Sequence, residues 1–222
     1  GQNESPTLMN YNEIFSAAAQ KGKWVLWGAG NDYCYNIADA EQSYDTAKLD
    51  RFRRRVLFYK PNQVIVLDHL HLKNTATKQR DARFILHFQK KPSINGSITN
   101  SQVLNHIETF NGHDILQTNG NGNVAIRTLL PVNAVTTRIG GSGYEFYVNG
   151  VNYPLGVTPD TIHTTPGAWR IEVSPTTVTD SLVFLHTINI GDNNHASVAG
   201  GFSQQNNYTI GVDWTNTIFF FN

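Results

Sequence analysis

The sequence predicts an all-β fold, an antiparallel multi-stranded β-sandwich with at most one or two short helices. Three observations lead there. Short segments in which apolar residues alternate with polar ones, or run briefly together, recur along most of the chain. The i, i+3, i+4 spacing of an amphipathic helix is nearly absent. Turn dipeptides separate the apolar segments, as hairpins require.

Taken in order, residues 1–22 form a lead-in whose one helix-like stretch is Tyr11 to Gln20, with the run Ala17-Ala18-Ala19. Strands are then predicted at Lys23–Trp27, Phe52–Tyr59, Gln63–Leu70, Arg83–Phe88, Val124–Leu129, Val135–Ile139, Glu145–Val148, Trp169–Val173, Leu182–Ile190, Tyr208–Val212 and Thr217–Phe221. Asn149-Gly150 supplies the positive φ angles of a tight hairpin between Glu145–Val148 and Val151–Tyr153. In Lys60-Pro61-Asn62-Gln63 the fixed φ of Pro61 favours a type I or II turn between two strands. Asn119-Gly120-Asn121-Gly122 reads as a loop. No repeat of 20–50 residues and no linker rich in Pro, Gly or Ser divides the chain, so residues 1–222 are expected to form one domain that ends in C-terminal strands over 191–222.

A chain of 222 residues and 24.8 kDa can bury on the order of 70% of its unfolded surface without a disulfide or metal to assist it. Lys plus Arg and Asp plus Glu both number 17. That balance excludes a generally basic nucleic-acid binder and a charged disordered tail. Cys34 is the single cysteine, which excludes a disulfide framework and a Cys-based zinc finger. No run approaches the ~18 apolar residues of a membrane span. The charge is unevenly placed, however. Between Lys48 and Lys91 lie 12 of the 17 basic residues and only 3 acids (Asp50, Asp68, Asp81), a local balance of 12 − 3 = +9.

Several motifs fail on inspection. Trp27-Gly28-Ala29-Gly30-Asn31-Asp32-Tyr33 follows a strand as a dinucleotide fingerprint does, but Tyr33 takes the place of the third glycine and no βαβ pattern follows. A nucleophile elbow centred on Ser142 has Tyr144 where its last glycine belongs, so Gly140-Gly141-Ser142-Gly143 is a turn. His69 and His71 stand two apart in a strand and share a face, a spacing that suits a metal. No third ligand is adjacent on that face, although His87 or His113 can approach it in the fold, so surface or hydrogen-bonded histidines are the simpler reading. The carboxylates are scattered singly, and no pair stands out for glycoside hydrolysis. No catalytic residue, cofactor or metal is assigned.

Arg51, Arg53 and Arg55 alternate along one strand, so their guanidinium groups share a face at ~6.6 Å intervals. Phe52, Arg54, Val56 and Phe58 take the other face. Such a ladder can grip carboxylates or sulfates along a polyanion, because guanidinium bonds them bidentately. It can equally be a solvated face or a contact to another domain. The aromatic residues Trp24, Trp27, Tyr33, Tyr35 and Tyr44 either stack on sugar rings or fill a core. Arg51, Arg53, Arg55, Tyr33 and Tyr35 are the candidate substrate-binding residues.

The order of segments resembles the C-terminal β-sandwich of heparinase II/III-like polysaccharide lyases. Carrying the resemblance are Asp39-Ala40, Tyr44, the run Arg51 to Pro61 (RFRRRVLFYKP), Val64 to Asp68 (VIVLD), Ile85-Leu86-His87-Phe88 and Arg127-Thr128-Leu129-Leu130-Pro131. It continues through Gly140 to Phe146, Val148-Asn149-Gly150, Asn152-Tyr153-Pro154, Gly167 to Pro175 and Phe184-Leu185-His186. The resemblance covers residues 23–190, in register and in order. It implies an N-terminal α/α toroid absent from this chain, a uronic-acid-containing polysaccharide as partner, and β-elimination as the parent chemistry. In that reaction a base takes the C5 proton, a neutralising group steadies the carboxylate and an acid protonates the leaving oxygen. The family's catalytic Tyr and His lie in the toroid and in an Asn-His-x-x-Asp-Ala-Gly-like segment, neither of which matches any stretch here.

The expectation is therefore a sandwich that is not catalytic by itself, braces the toroid and lines one side of the glycan cleft. By resemblance alone, the parent is a secreted or periplasmic bacterial protein. Two alternatives stay open: a stand-alone carbohydrate-binding or adhesive module, and a complete enzyme built on His69, His71 and a third ligand.

Overall fold

The computed structural model describes residues 22–44, 47–73, 82–153, 167–177, 179–192, 201–206, 209–214 and 217–221. The helix expected at Tyr11 to Gln20 lies outside them. Every described ladder with a register is antiparallel, and one short 3-10 turn, Glu41–Ser43, is the helical element among the described residues. The fold class is all-β, as predicted.

The chain divides into two compact units, one comprising 1–81 and 177–186, the other 82–176 and 187–222. The first contains β1 (Lys23–Ala29), β2 (Tyr33–Asp39), β3 (Leu49–Tyr59) and β4 (Gln63–Leu72). The second contains β5 (Phe84–Phe88), β6 (Ser93–Ile94), β7 (Ile98–Val103), β8 (Ile107–Phe110), β9 (Asp114–Asn119), β10 (Gly122–Leu130), β11 (Ala134–Gly140), β12 (Tyr147–Val148), β13 (Val151–Asn152) and β14 (Trp169–Pro175). Strand β15 (Ser181–Asp192) is shared between them, and β16 (Gly201–Asn206), β17 (Thr209–Trp214) and β18 (Thr217–Phe221) end the second unit.

In the first unit the strands run in the order β1-β2-β3-β4-β15. The long β3 pairs on both sides, from Tyr33↔Tyr59 to Asp39↔Arg53 with β2 and from Tyr59↔Gln63 to Leu49↔Leu72 with β4. Ile65, Val66, Leu67 and Asp68 are consecutive and all buried, so both faces of β4 are covered at its centre. This is why that strand reads as a near-continuous apolar run. The expected β3–β4 hairpin forms, closing at Tyr59↔Gln63 through three residues with a cis Lys60-Pro61 bond. Lys60 donates its N–H to the Asp32 carbonyl and its Nζ to the Asn31 carbonyl, which anchors the loop to the β1–β2 turn.

In the second unit one sheet has the order β5-β14-β11-β8-β7, and β10-β9-β6 lie in sequence beside β15. Phe84, Phe110, Ile115, Ile126, Ile171 and Val173 are among its buried side chains. The Asn149-Gly150 turn forms as predicted, with φ of 50° and 89° and pairs Tyr147↔Asn152 and Val148↔Val151. Positive φ at both central residues matches the right-handed twist of the flanking strands. Gly140 to Gly143 is a turn, also as predicted. Residues 145 and 146 stay out of β12, because the Phe146 N–H is taken by the Asn152 Oδ1 at 2.8 Å.

Strands β2, β6, β7, β8, β9 and β16 were not among the predicted segments. β8 breaks its apolar alternation with Glu108, only 2% exposed, whose charge is met by Arg138 at 2.5 Å. β7 is a polar edge strand with two register shifts, so no period survives in its sequence.

Candidate functional site

The candidate site is one face of the β1–β4 sheet. Partners directly opposite in an antiparallel ladder project to the same side, so the registers place side chains in rows. Lys23, Asp39, Arg53 and His69 form one row, and Leu26, Ile37, Arg55 and Leu67 the next. Gly28, Tyr35, Leu57 and Ile65 follow, then Tyr33, Tyr59 and Gln63. Arg51 and His71 extend the basic end. All five residues singled out from sequence (Arg51, Arg53, Arg55, Tyr33 and Tyr35) therefore share one face, with aromatic rings at one end and guanidinium groups at the other.

The glycines of the rejected dinucleotide motif have a different use. A Cβ on Gly28 would lie 2.8 Å from the Tyr35 ring, and one on Gly30 would lie 2.8 Å from the Tyr33 ring. Each tyrosine ring lies so close over a glycine that a Cβ there would force the ring to shift. The two rings stack at 6.3 Å and 23°.

The ladder is not uniform. Arg53 donates Nε and Nη2 to the two Asp39 carboxylate oxygens at 2.9 and 3.1 Å, and this guanidinium holds the Asp39 carboxyl below the usual carboxylate range. Arg51 is exposed. Arg55 is half-buried, and burial followed by the like charge of Arg53 makes its cationic form less favourable than usual. His69 sits between these groups. Burial, then Arg55, Arg51 and Arg53, push its pKa down to about 4. His71 instead meets Asp50 through Nδ1 at 2.5 Å. The two histidines share a face as expected, but three guanidinium charges around His69 repel a metal cation as they repel a proton. Among the described residues no group of three His, Cys, Asp or Glu is placed to hold a metal ion.

The opposite face carries Trp24, Ala38, Arg54 and Asp68 in one row and Trp27, Asn36, Val56 and Val66 in the next. Arg54 donates Nε and Nη2 to Asp68 at 2.7 and 2.6 Å. Burial raises the Asp68 carboxyl and Arg54 partly offsets this. Tyr44 packs against Phe52 at 5.4 Å, whereas Trp24 and Trp27 are 71% and 74% exposed and belong to no core. The pairs Asp39–Arg53 and Arg54–Asp68 each join residues 14 apart, beyond any local spacing rule. Lys23 joins the basic face only through its ladder position opposite Asp39.

No family model matches this sequence, and no curated protein matches it in sequence. Solved structures do. A heparinase III gene product with methylated lysines superposes with a TM-score of 0.52 at 11% identity, and a second structure of a heparinase III gene product with 0.51 at 12%, each over 90% of this chain and 27% of the solved one. The fold is that of one part of heparinase III. A heparan sulfate lyase from Pedobacter heparinus gives 0.49 at 12% identity over the same shares. The chain thus spans about a quarter of the length of the heparinase III structures it matches. No helix among the described residues is long and apolar enough to cross a membrane.

Proposed function

We propose that this chain is the β-sandwich part of a heparinase II/III-like polysaccharide lyase, and that its Tyr33–Tyr35–Arg51–Arg53–Arg55 face lines one side of a cleft for a uronic-acid-containing polysaccharide. The parent cleaves by β-elimination; this portion binds and orients the polyanion and braces an α/α toroid, and proton transfer belongs to groups outside it. The parent is an exported bacterial protein.

One observation carries the reading: a single face holds two stacked tyrosines and the guanidinium groups of Arg51, Arg53 and Arg55, with Arg51 exposed. A carboxylate or sulfate bound there relieves the mutual repulsion of Arg53 and Arg55, and a bidentate geometry distinguishes it from a diffuse field. Tyrosine rings supply apolar area for the sugar between charged groups.

The test is retention on immobilised heparin and alginate as salt is raised. The reading expects retention that falls with salt, because exposed pairs are screened over ~10 Å at 0.1 M, and that weakens with Arg55→Lys as well as Arg55→Ala. No retention at low salt, or full tolerance of lysine, overturns it. Formation of unsaturated uronate by the isolated chain, read by ultraviolet absorbance, overturns the non-catalytic role.

A further inference from the structure

The face opposite the ladder carries a separate feature. Trp24 and Trp27 are three apart, which in a regular strand puts them on opposite sides. A register shift between Trp24 and Leu26 changes that, because Trp24 pairs with Ala38 and Trp27 with Asn36, two residues apart on β2. Both indoles therefore stand on the same face, about 7 Å apart along the strand. They are 71% and 74% exposed, and with Asn36 they line a shallow concavity.

We propose that Trp24, Trp27 and Asn36 form a second carbohydrate site, one that takes uncharged sugar rings. Charge argues for an uncharged occupant. The charged residues in the row of Trp24 are Arg54 and Asp68, and they neutralise each other through two hydrogen bonds. Area argues for a small one. Two Trp side chains offer roughly 150–250 Å² each, well short of the ~800 Å² per partner of a stable protein interface. Leu26, next along the strand, pairs with Ile37 and points to the other face, so it does not enlarge the patch. A pyranose fits what remains. Its C–H face stacks on the electron-rich face of an indole, and its hydroxyls meet the donor and acceptor of the Asn36 amide. The site does not depend on the reading of the basic face.

The experiment is calorimetric titration of the chain with neutral cello-, malto-, manno- and N-acetylchito-oligosaccharides, with tryptophan emission followed in parallel. At least one series is expected to bind and to shift the emission. Trp24→Ala and Trp27→Ala should each weaken binding about tenfold or more, whereas Trp27→Tyr retains part of it. Asn36→Ala should weaken it less. Arg55→Ala and added salt should leave it unchanged. Circular dichroism shows which variants are folded. The proposal fails if no series binds, if folded Trp→Ala variants bind normally, or if binding is lost with salt or with Arg55→Ala. A concentration-dependent dimer abolished by Trp27→Ala also overturns it, since the face is then occupied by a second copy.

Discussion

The arginines of the two units are used in different ways. In the second unit Arg83, Arg127, Arg138 and Arg170 all end on carboxylates, those of Glu172, Asp114, Glu108 and again Glu172, at 2.5–2.7 Å. In the first unit β3 carries four arginines, of which Arg53 and Arg54 end on carboxylates while Arg51 is exposed and Arg55 lies beside Arg53. Paired arginines hold strands together, whereas Arg51 is set out toward solvent where an anion can meet it. The same residue type is thus structural in one unit and a candidate for recognition in the other.

The largest expected effect tests the structural half. Arg138 is 9% exposed, bonds Glu108 and the Pro92 carbonyl, and lies over the Phe110 and Trp169 rings. Arg138→Ala leaves Glu108 buried and charged, so chemical denaturation should show a loss of about 3–5 kcal/mol. A loss below ~1 kcal/mol would remove the contrast.

Next comes pH. His186 is fully buried and its pKa is pushed down to about 3, while that of His69 falls to about 4. The folded state prefers both neutral, so the unfolded chain binds more protons as pH falls. Stability is full above the ordinary histidine value near 6.5 and declines as pH drops toward 4, by on the order of 3 kcal/mol for His69 alone. His69→Gln should flatten part of that slope in urea melts at pH 7 and pH 4.5. A sulfated oligosaccharide on the ladder should also flatten it, by reducing the repulsion that disfavours protonated His69, and its affinity should rise as pH falls through this window.

The smallest stability effect is on the recognition half. Arg51→Ala should change stability by no more than ~0.5 kcal/mol and yet lower heparin retention. A large stability loss would show that Arg51 belongs with the paired set. Gly28→Ala sharpens the comparison further: by displacing the Tyr35 ring it should weaken polyanion binding and leave every arginine in place.

Much of this was legible in the sequence because it is local. Alternation in β3 places Arg51, Arg53 and Arg55 on one face whatever surrounds them, and Asn149-Gly150 encodes its own turn. The illegible parts depend on distant partners. β8 hides its period because Glu108 is buried against Arg138, 30 residues away, and Gly28 makes sense only once Tyr35 lies over it. The shared face of Trp24 and Trp27 needs the β1 irregularity, which no composition rule reveals.

That irregularity has a consequence for comparing relatives. Val25 is the extra residue between two partners that are adjacent on β2, Ala38 and Ile37. A relative with one residue fewer at this point keeps Trp24 and Trp27 on the same face in an ordinary ladder. A relative of equal length that straightened the strand would turn one indole toward the arginines. At this edge an alignment gap is thus the conservative change and an ungapped match the disruptive one.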